Sequence, residues 1–115
     1  MVNNMLEFED FCVAVHQDVG VDFGEIEERV IFGVAWDFQD EHLEAVLRFL
    51  EYMMESKQLD KVVKIAEENA CWRIISRETA LEDVKRLCAV IQKMISCRPS
   101  NPKELNDFLD RNWPE

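Results

Sequence analysis

The chain has 115 residues and a formal net charge of −11, with 48% hydrophobic residues and only three Gly and three Pro. This hydrophobic content is too high for an intrinsically disordered chain, and the scarcity of turn residues disfavours a β fold. A single domain of this length buries about two-thirds of its unfolded surface without disulfides or metal.

The acidic charge is concentrated in the first half of the chain. Residues 1–55 carry 14 acidic and 2 basic side chains, whereas residues 56–115 carry 10 acidic and 11 basic ones. A localised negative field steers basic partners towards a protein and repels phosphate groups. The distribution therefore favours a basic protein partner and argues against nucleic-acid binding, although a plain solubility surface is the alternative interpretation.

Apolar periodicity predicts the first two helices. The first covers residues 5–18, and Gly20 stops it. The second begins with a capping box of Asp22 and Glu25 and continues to about Trp36. It is apolar around most of its circumference, which indicates that it is packed on two sides. One of its faces interleaves acids with aromatic side chains, namely Glu25, Glu28, Phe32 and Trp36.

The third predicted helix, which Asp40 can cap and which runs to Glu55, is the feature around which the chain is organised. Its apolar residues recur at steps of three and four and form a core-facing stripe of Leu43, Val46, Leu47, Leu50 and Met54. On the opposite face, broken only by Arg48, lies a set that we name the acidic ridge: Asp37, Glu41, Glu44, Glu51 and Glu55. Phe38 and Tyr52 lie beside it, and aromatic anchors next to complementary charge are typical of tight interfaces. We predict that a partner binds these seven residues.

The second half of the chain predicts further helices joined by short connections. Residues 56–58 fit either a tight turn or a continuing helix, and we favour a tight turn into a helix over about 58–70. Residues 71–75 fit either a helical continuation or a short extended piece. A capping box of Thr79 and Glu82 opens a helix to about Ser96, with an apolar stripe of Leu81, Val84, Leu87, Cys88, Ile91 and Ile95. Asn101 caps the last short helix. Five or six helices of this kind predict an all-α, single-domain antiparallel helical bundle.

Residues capable of catalysis or of metal binding do not form a recognisable motif. His16 and His42 lie on different predicted helices, without a second His or Cys at ligand spacing. Cys12 and His16 are four residues apart, a spacing that could pair a thiolate with an imidazole, but acidic surroundings disfavour a thiolate. The sequence also lacks a Gly-rich phosphate loop. We therefore expect no enzyme activity, no cofactor and no metal.

The cysteines and the apolar runs indicate the cellular compartment in which the protein is expected. Cys12, Cys71, Cys88 and Cys97 are spread singly, without a CxxC pair, and the start of the chain lacks the features of a signal peptide. The longest apolar run, residues 30–36, is far shorter than a membrane span. We expect a cytoplasmic protein that does not bind membranes, with Cys12 and Cys88 as small buried hydrophobic side chains.

In size, acidity, predicted helicity and lack of a catalytic motif, the whole chain resembles the immunity proteins that bacteria pair with nuclease toxins of the colicin and contact-dependent growth inhibition systems. The Asp-Ser-Tyr-Tyr signature of the colicin nuclease immunity family is absent from this sequence, so no binding residues carry over. The resemblance implies neutralisation of a basic cognate toxin domain through the acidic surface.

Two other functions fit the same sequence. A secretion chaperone or helical adaptor would hold a partner segment in an apolar groove, which the five methionines favour. A nucleic-acid mimic would occupy DNA- or RNA-binding proteins, but it should spread its acids along the whole molecule. The basic second half argues for a localised acidic patch instead.

Overall fold

The computed structural model describes residues 5–18, 26–69 and 74–114, and within them every regular element is a helix. The elements are α1 (Met5–Asp18), α2 (Glu27–Trp36), α3 (Asp40–Glu55), α4 (Leu59–Glu68), α5 (Ala80–Ser96) and α6 (Pro102–Asn112). The predicted all-α fold is confirmed. The expected stop at Gly20, the capping box of Asp22 and Glu25, and most of the ambiguous segment 71–75 lie outside the described residues.

The helices pack around one hydrophobic core. Helix α5 packs against α2, α3 and α4, helix α1 packs against α2, α3 and α4, and α6 packs against α2. The radius of gyration of 13.3 Å is that expected for a compact domain of this length. The apolar stripe of α3 points into this core through Leu43, Val46, Leu47 and Leu50, which are buried. Among the described helices, none has the length and apolar character that a membrane crossing requires.

Aromatic rings attach the last helix to the bundle. Phe108 of α6 stacks on the fully buried ring of Phe32 in α2, with centroids 4.5 Å apart and an interplanar angle of 4°. Trp113 lies 5.5 Å from the same ring, and Leu105 and Leu109 are buried beneath the helix. An 11-residue helix is marginal in isolation, so this packing keeps α6 folded.

The starts of α1, α3, α4, α5 and α6 lie within one residue of the predicted positions, whereas α2, expected to begin from the capping box of Asp22 and Glu25, begins at Glu27. Of the predicted caps that fall on described residues, only that of Asn101 forms. The side chain of Asn101 accepts a hydrogen bond from the Glu104 amide at 2.9 Å, as expected. Thr79 precedes α5 as expected, but it does not form the predicted capping box with Glu82. Its hydroxyl instead donates a hydrogen bond to Asp83 Oδ2 at 2.6 Å. Asp40 was expected to cap α3 and is instead its first residue.

The turn between α3 and α4 forms a Schellman motif. The amide of Gln58 donates to the carbonyl of Met53 at 2.8 Å, and the amide of Lys57 donates to the carbonyl of Met54 at 3.3 Å. Lys57 therefore occupies the left-handed position that ends such helices, with φ of 58°. Glycine is the usual residue there because any Cβ costs free energy in this conformation. The predicted tight turn is confirmed, with an uncommon residue at its centre.

Two of the cysteines are part of the core. Cys12 and Cys88 are buried, as the sequence predicted, and Cys97 is exposed after α5. Cys88 and Cys97 are free thiols, and Cys71 lies outside the described residues.

Candidate functional site

The acidic ridge lies on the exposed face of α3, opposite the helix's buried stripe. Glu41, Glu44, Glu51 and Glu55 are all exposed, and the first and last are separated by about 21 Å along the helix axis at 1.5 Å per residue. The strong segregation of apolar and charged residues fixes this arrangement, because turning the helix would bury carboxylates and expose leucines. The four glutamates therefore present an acidic strip to solvent, interrupted by Arg48.

Asp37 does not belong to the helix that carries the other four acids of the ridge. The sequence pattern placed it on the same helical wheel, but α2 ends at Trp36 and α3 begins at Asp40. Asp37 caps the end of α2, and its amide donates to the carbonyl of Val34 at 3.1 Å. Its side chain is exposed in the turn that precedes α3. Its distance from the four glutamates therefore depends on the turn rather than on helix periodicity.

The carboxylates of the ridge form no ion pairs within the described part of the chain. There, none of the five acids forms an ion pair, and the exposed Arg48 in their midst forms none either. Other acids of the described residues are paired with arginines, namely Arg86 with Glu27, Glu28 and Asp83, Arg98 with Asp40, Arg77 with Asp60 and Glu67, and Arg29 with Asp110. The negative field of the ridge is thus left directed into solvent.

One ridge carboxylate also influences the core. Burial, and then the nearby carboxylate of Glu51, raise the pKa of the Cys88 thiol from 9.0 to about 12. Cys88 belongs to α5, which packs against α3. The thiol itself stays protonated at neutral pH, and its burial excludes it from nucleophilic chemistry.

The two aromatic residues predicted beside the ridge are placed differently. Tyr52 is 51% exposed on α3 and is available to a partner. The ring of Phe38 is partly buried against the core, 5.5 Å from Phe11 and 4.6 Å from His42 between centroids. The structure therefore leaves Tyr52 as the exposed aromatic residue of α3 and gives Phe38 a packing role.

The second acidic and aromatic face, on α2, is occupied by contacts within the chain. Phe32 is covered by α6, and the indole Nε1 of Trp36 donates to the carbonyl of Pro99 at 2.9 Å. Glu28 lies 3.5 Å from Arg86, and Glu25 is outside the described residues. These contacts leave little of this face for a partner.

The histidines do not assemble a metal or catalytic site within the described residues. His42 Nε2 lies 3.0 Å from the backbone carbonyl of Glu7, which joins α3 to α1, and His16 is exposed near the end of α1. The same residues contain no group of three or more His, Cys, Asp or Glu side chains placed to hold a metal ion. The hydrogen bond gives His42 a structural role at the contact of the two helices.

A small apolar groove was missed by sequence reasoning. Its volume is about 380 Å³, and it is lined by Met54, Lys57, Leu59, Asp60 and Leu81. Leu81 was predicted to face the core with the rest of its stripe on α5, but it is 45% exposed. It lies in the first turn of the helix, beside Met54 of α3 and Leu59 of α4, which leave part of its side chain exposed. Helix periodicity could not predict the exposure of Leu81, because it does not specify how much of a helix its neighbouring helices cover.

Comparison with protein-family models, with curated proteins and with solved structures finds no match for this chain. The function of the candidate site is therefore inferred only from the geometry and charge of its residues.

Proposed function

We propose that the protein is an immunity protein, which binds a basic toxin domain through the acidic ridge and neutralises it. The observation that carries the proposal is the unpaired ridge of Asp37, Glu41, Glu44, Glu51 and Glu55. These carboxylates are exposed and form no ion pair within the described residues, where several other acids are paired with arginines, and the four glutamates share one face of α3. Exposed like charges repel one another, and a cationic partner surface would relieve that repulsion.

The form of the ridge supports a protein as the partner. A strip about 21 Å long matches the dimension of a protein–protein contact rather than that of a small-ligand pocket. Its negative field would accelerate association with a positive surface, and each close charge pair would then contribute to the lifetime of the complex. Tyr52 supplies an amphipathic ring that can be buried among those pairs, which is the usual composition of an interface hot spot.

A nuclease is the class of toxin that fits this surface best. Enzymes that cleave nucleic acid hold a polyanion, so their substrate clefts are rich in Lys and Arg. A row of carboxylates on a rigid helix can occupy such a cleft or grip the positive surface beside it. The resemblance in size, charge and helical content to immunity proteins of nuclease toxins points the same way.

The test is binding to the product of the adjacent open reading frame, measured by pull-down and by salt-titrated affinity. Glu41→Lys combined with Glu44→Lys should weaken binding more than ten-fold, because each close charge pair couples by about 1.5 kcal/mol or more. The parent protein should also suppress cleavage of DNA or RNA by that product. Association should slow as salt rises, because screening weakens the steering field.

The matched control is a second double reversal with the same change in net charge. Glu78 and Glu82 are exposed four residues apart at the start of α5, and neither forms an ion pair within the described residues. Glu78→Lys combined with Glu82→Lys should lower affinity by only a few-fold. If both double variants bind as tightly as the parent, or if both lose affinity equally, the ridge is not the binding surface.

A further inference from the structure

Arg48 is the only Lys or Arg of α3, and it lies in the middle of the acidic ridge. Along the helix axis it is about 6 Å from Glu44 and about 4.5 Å from Glu51, at 1.5 Å per residue. Glu41 and Glu55 lie about 10.5 Å away, one towards each end of the helix. All five side chains are exposed. Along α3, the charges of these glutamates and of Arg48 therefore follow the order negative, negative, positive, negative, negative.

The guanidinium of Arg48 forms no ion pair with any residue that the structure describes. Glu44 precedes it by four residues and Glu51 follows it by three, which are the spacings at which ion pairs form on a helix. Neither of these carboxylates pairs with it. An arginine carries five N–H donors in one plane. Those of Arg48 are available to a partner.

A partner that binds the acidic ridge must also accommodate this cation. Arg48 lies about one helical turn from a glutamate on either side, so a surface that contacts both glutamates covers the guanidinium as well. A uniformly positive surface would place like charges against each other there, which opposes association. A hydrogen-bond acceptor opposite Arg48 removes that repulsion. A carboxylate fits best, because it accepts two parallel hydrogen bonds from the planar guanidinium.

We infer that Arg48 is a specificity-determining residue of the ridge, and that the partner presents a carboxylate to it in the middle of a basic surface. The inference rests on the proposed function, which supplies the basic partner. A nuclease cleft has this arrangement of charges, because Lys and Arg side chains that hold the phosphates surround carboxylates that act as a general base or hold metal ions. Arg48 then binds a carboxylate used in catalysis, and the ridge blocks the active site rather than a surface beside it. Polycations without such a carboxylate are rejected.

The experiment measures binding of Arg48 variants to the product of the adjacent open reading frame. Arg48→Glu makes the ridge more negative, so general attraction to a basic surface would strengthen binding. Recognition of a carboxylate by Arg48 predicts the opposite, a loss of more than ten-fold, with a smaller loss in Arg48→Lys because an ammonium lacks the planar set of donors. The matched control is Arg111→Glu, the same charge change at an exposed arginine of α6, which packs against α2. It should change the affinity less than two-fold.

A double-mutant cycle tests the partner's side of the contact. Each Asp or Glu that the partner's nuclease activity requires is replaced by Ala in turn. Removal of one of these carboxylates should make the parent protein and Arg48→Ala bind with affinities within two-fold of each other. Additive losses for every such carboxylate would overturn the inference, as would an affinity of Arg48→Glu equal to or above that of the parent. The proposed function still stands in either case if Glu41→Lys with Glu44→Lys weakens binding, whereas a parent protein that does not bind removes both.

Discussion

The guanidinium of Arg98 binds the carboxylate of Asp40, with Nη2 2.7 Å and Nε 3.1 Å from Oδ1. The same guanidinium donates to two backbone carbonyls, that of Trp36 at 2.9 Å and that of Phe38 at 2.7 Å. Arg98 follows α5, so it fastens the segment between α5 and α6 to the turn that separates α2 from α3. This contact fixes the direction in which α3, and with it the acidic ridge, leaves the turn.

Replacing Arg98 with Ala should lower the free energy of unfolding by about 2 kcal/mol or more. The change removes charge-assisted hydrogen bonds and leaves partly buried carbonyls without a donor. Arg98→Lys should recover little, because an ammonium cannot reproduce the planar set of donors. Denaturant titration measures the difference. Lys103→Ala removes an exposed pair with Asp107 and should change the same quantity by less than about 0.5 kcal/mol.

Replacing Lys57 with Gly should stabilise the protein by about 1 kcal/mol. Glycine adopts the left-handed conformation of the Schellman turn without the steric cost of a Cβ. The melting temperature should rise by about 4 °C for a domain of this size. Lys57→Ala is the control, because it removes the same charge and keeps the Cβ. If the alanine variant gains as much stability as the glycine variant, charge rather than backbone strain is responsible.

Cys88 should make stability fall at alkaline pH. Its thiol has a pKa of about 12 in the folded protein, against 9.0 for an unhindered thiol. Because the pKa is raised in the folded protein, the unfolded chain loses this proton at a lower pH. The thiol's contribution to the free energy of unfolding is therefore complete below pH 9 and is lost as the pH rises towards 12. The loss should approach about 1.4 kcal/mol per pH unit for this one group.

The measurement compares unfolding of the parent and of Cys88→Ala across that pH range. All other side chains are the same in the two proteins, so only the difference in stability between them reports on Cys88. The stability difference between the two proteins should become smaller from pH 9 upwards. At pH 8 the exposed Cys97 should react rapidly with a thiol reagent, whereas Cys88 should react only as the protein unfolds. A constant difference between parent and variant would contradict the assignment.

The sequence predicted the helices better than the contacts that join them. Helices α1, α3 and α5 begin and end within one residue of their predicted limits, because their apolar stripes repeat over three or more turns. The cap contacts were less predictable. Thr79 is followed by acids three and four residues later, and the local sequence pattern cannot decide whether Glu82 or Asp83 is its hydrogen-bond partner. Asp40 was expected to cap α3, but its carboxylate accepts a hydrogen bond from Arg98, which lies 58 residues away in the chain.

In the candidate site, too, features set within one helix were predictable from the sequence, whereas contacts between helices were not. Helix periodicity alone placed the four glutamates of the ridge on an exposed face, and that prediction is confirmed for their exposure. It could not show that Phe38 turns towards Phe11 and His42, since that contact involves α1. Nor could it show that Leu81 is left uncovered. Both outcomes depend on how neighbouring helices meet, which the composition of one helix does not determine.

Reversing two ridge charges should leave the fold intact and make it slightly more stable. Glu41 and Glu44 are exposed, face away from the core, and form no ion pair within the described residues, so Glu41→Lys with Glu44→Lys removes no native contact seen there. The change lowers the net negative charge by four and relieves repulsion along α3.

The melting temperature of this double variant should therefore equal or exceed that of the parent at low salt. The difference should shrink as salt is added, because exposed charges more than about 10 Å apart are screened at 0.1 M ionic strength. Thermal unfolding followed by circular dichroism at 10 mM and 500 mM salt gives both quantities. A clear loss of stability at low salt would mean that these glutamates support the fold, and any loss of partner binding could then not be assigned to the ridge surface. Equal stability combined with lost binding would identify the carboxylates as groups used for recognition rather than for folding.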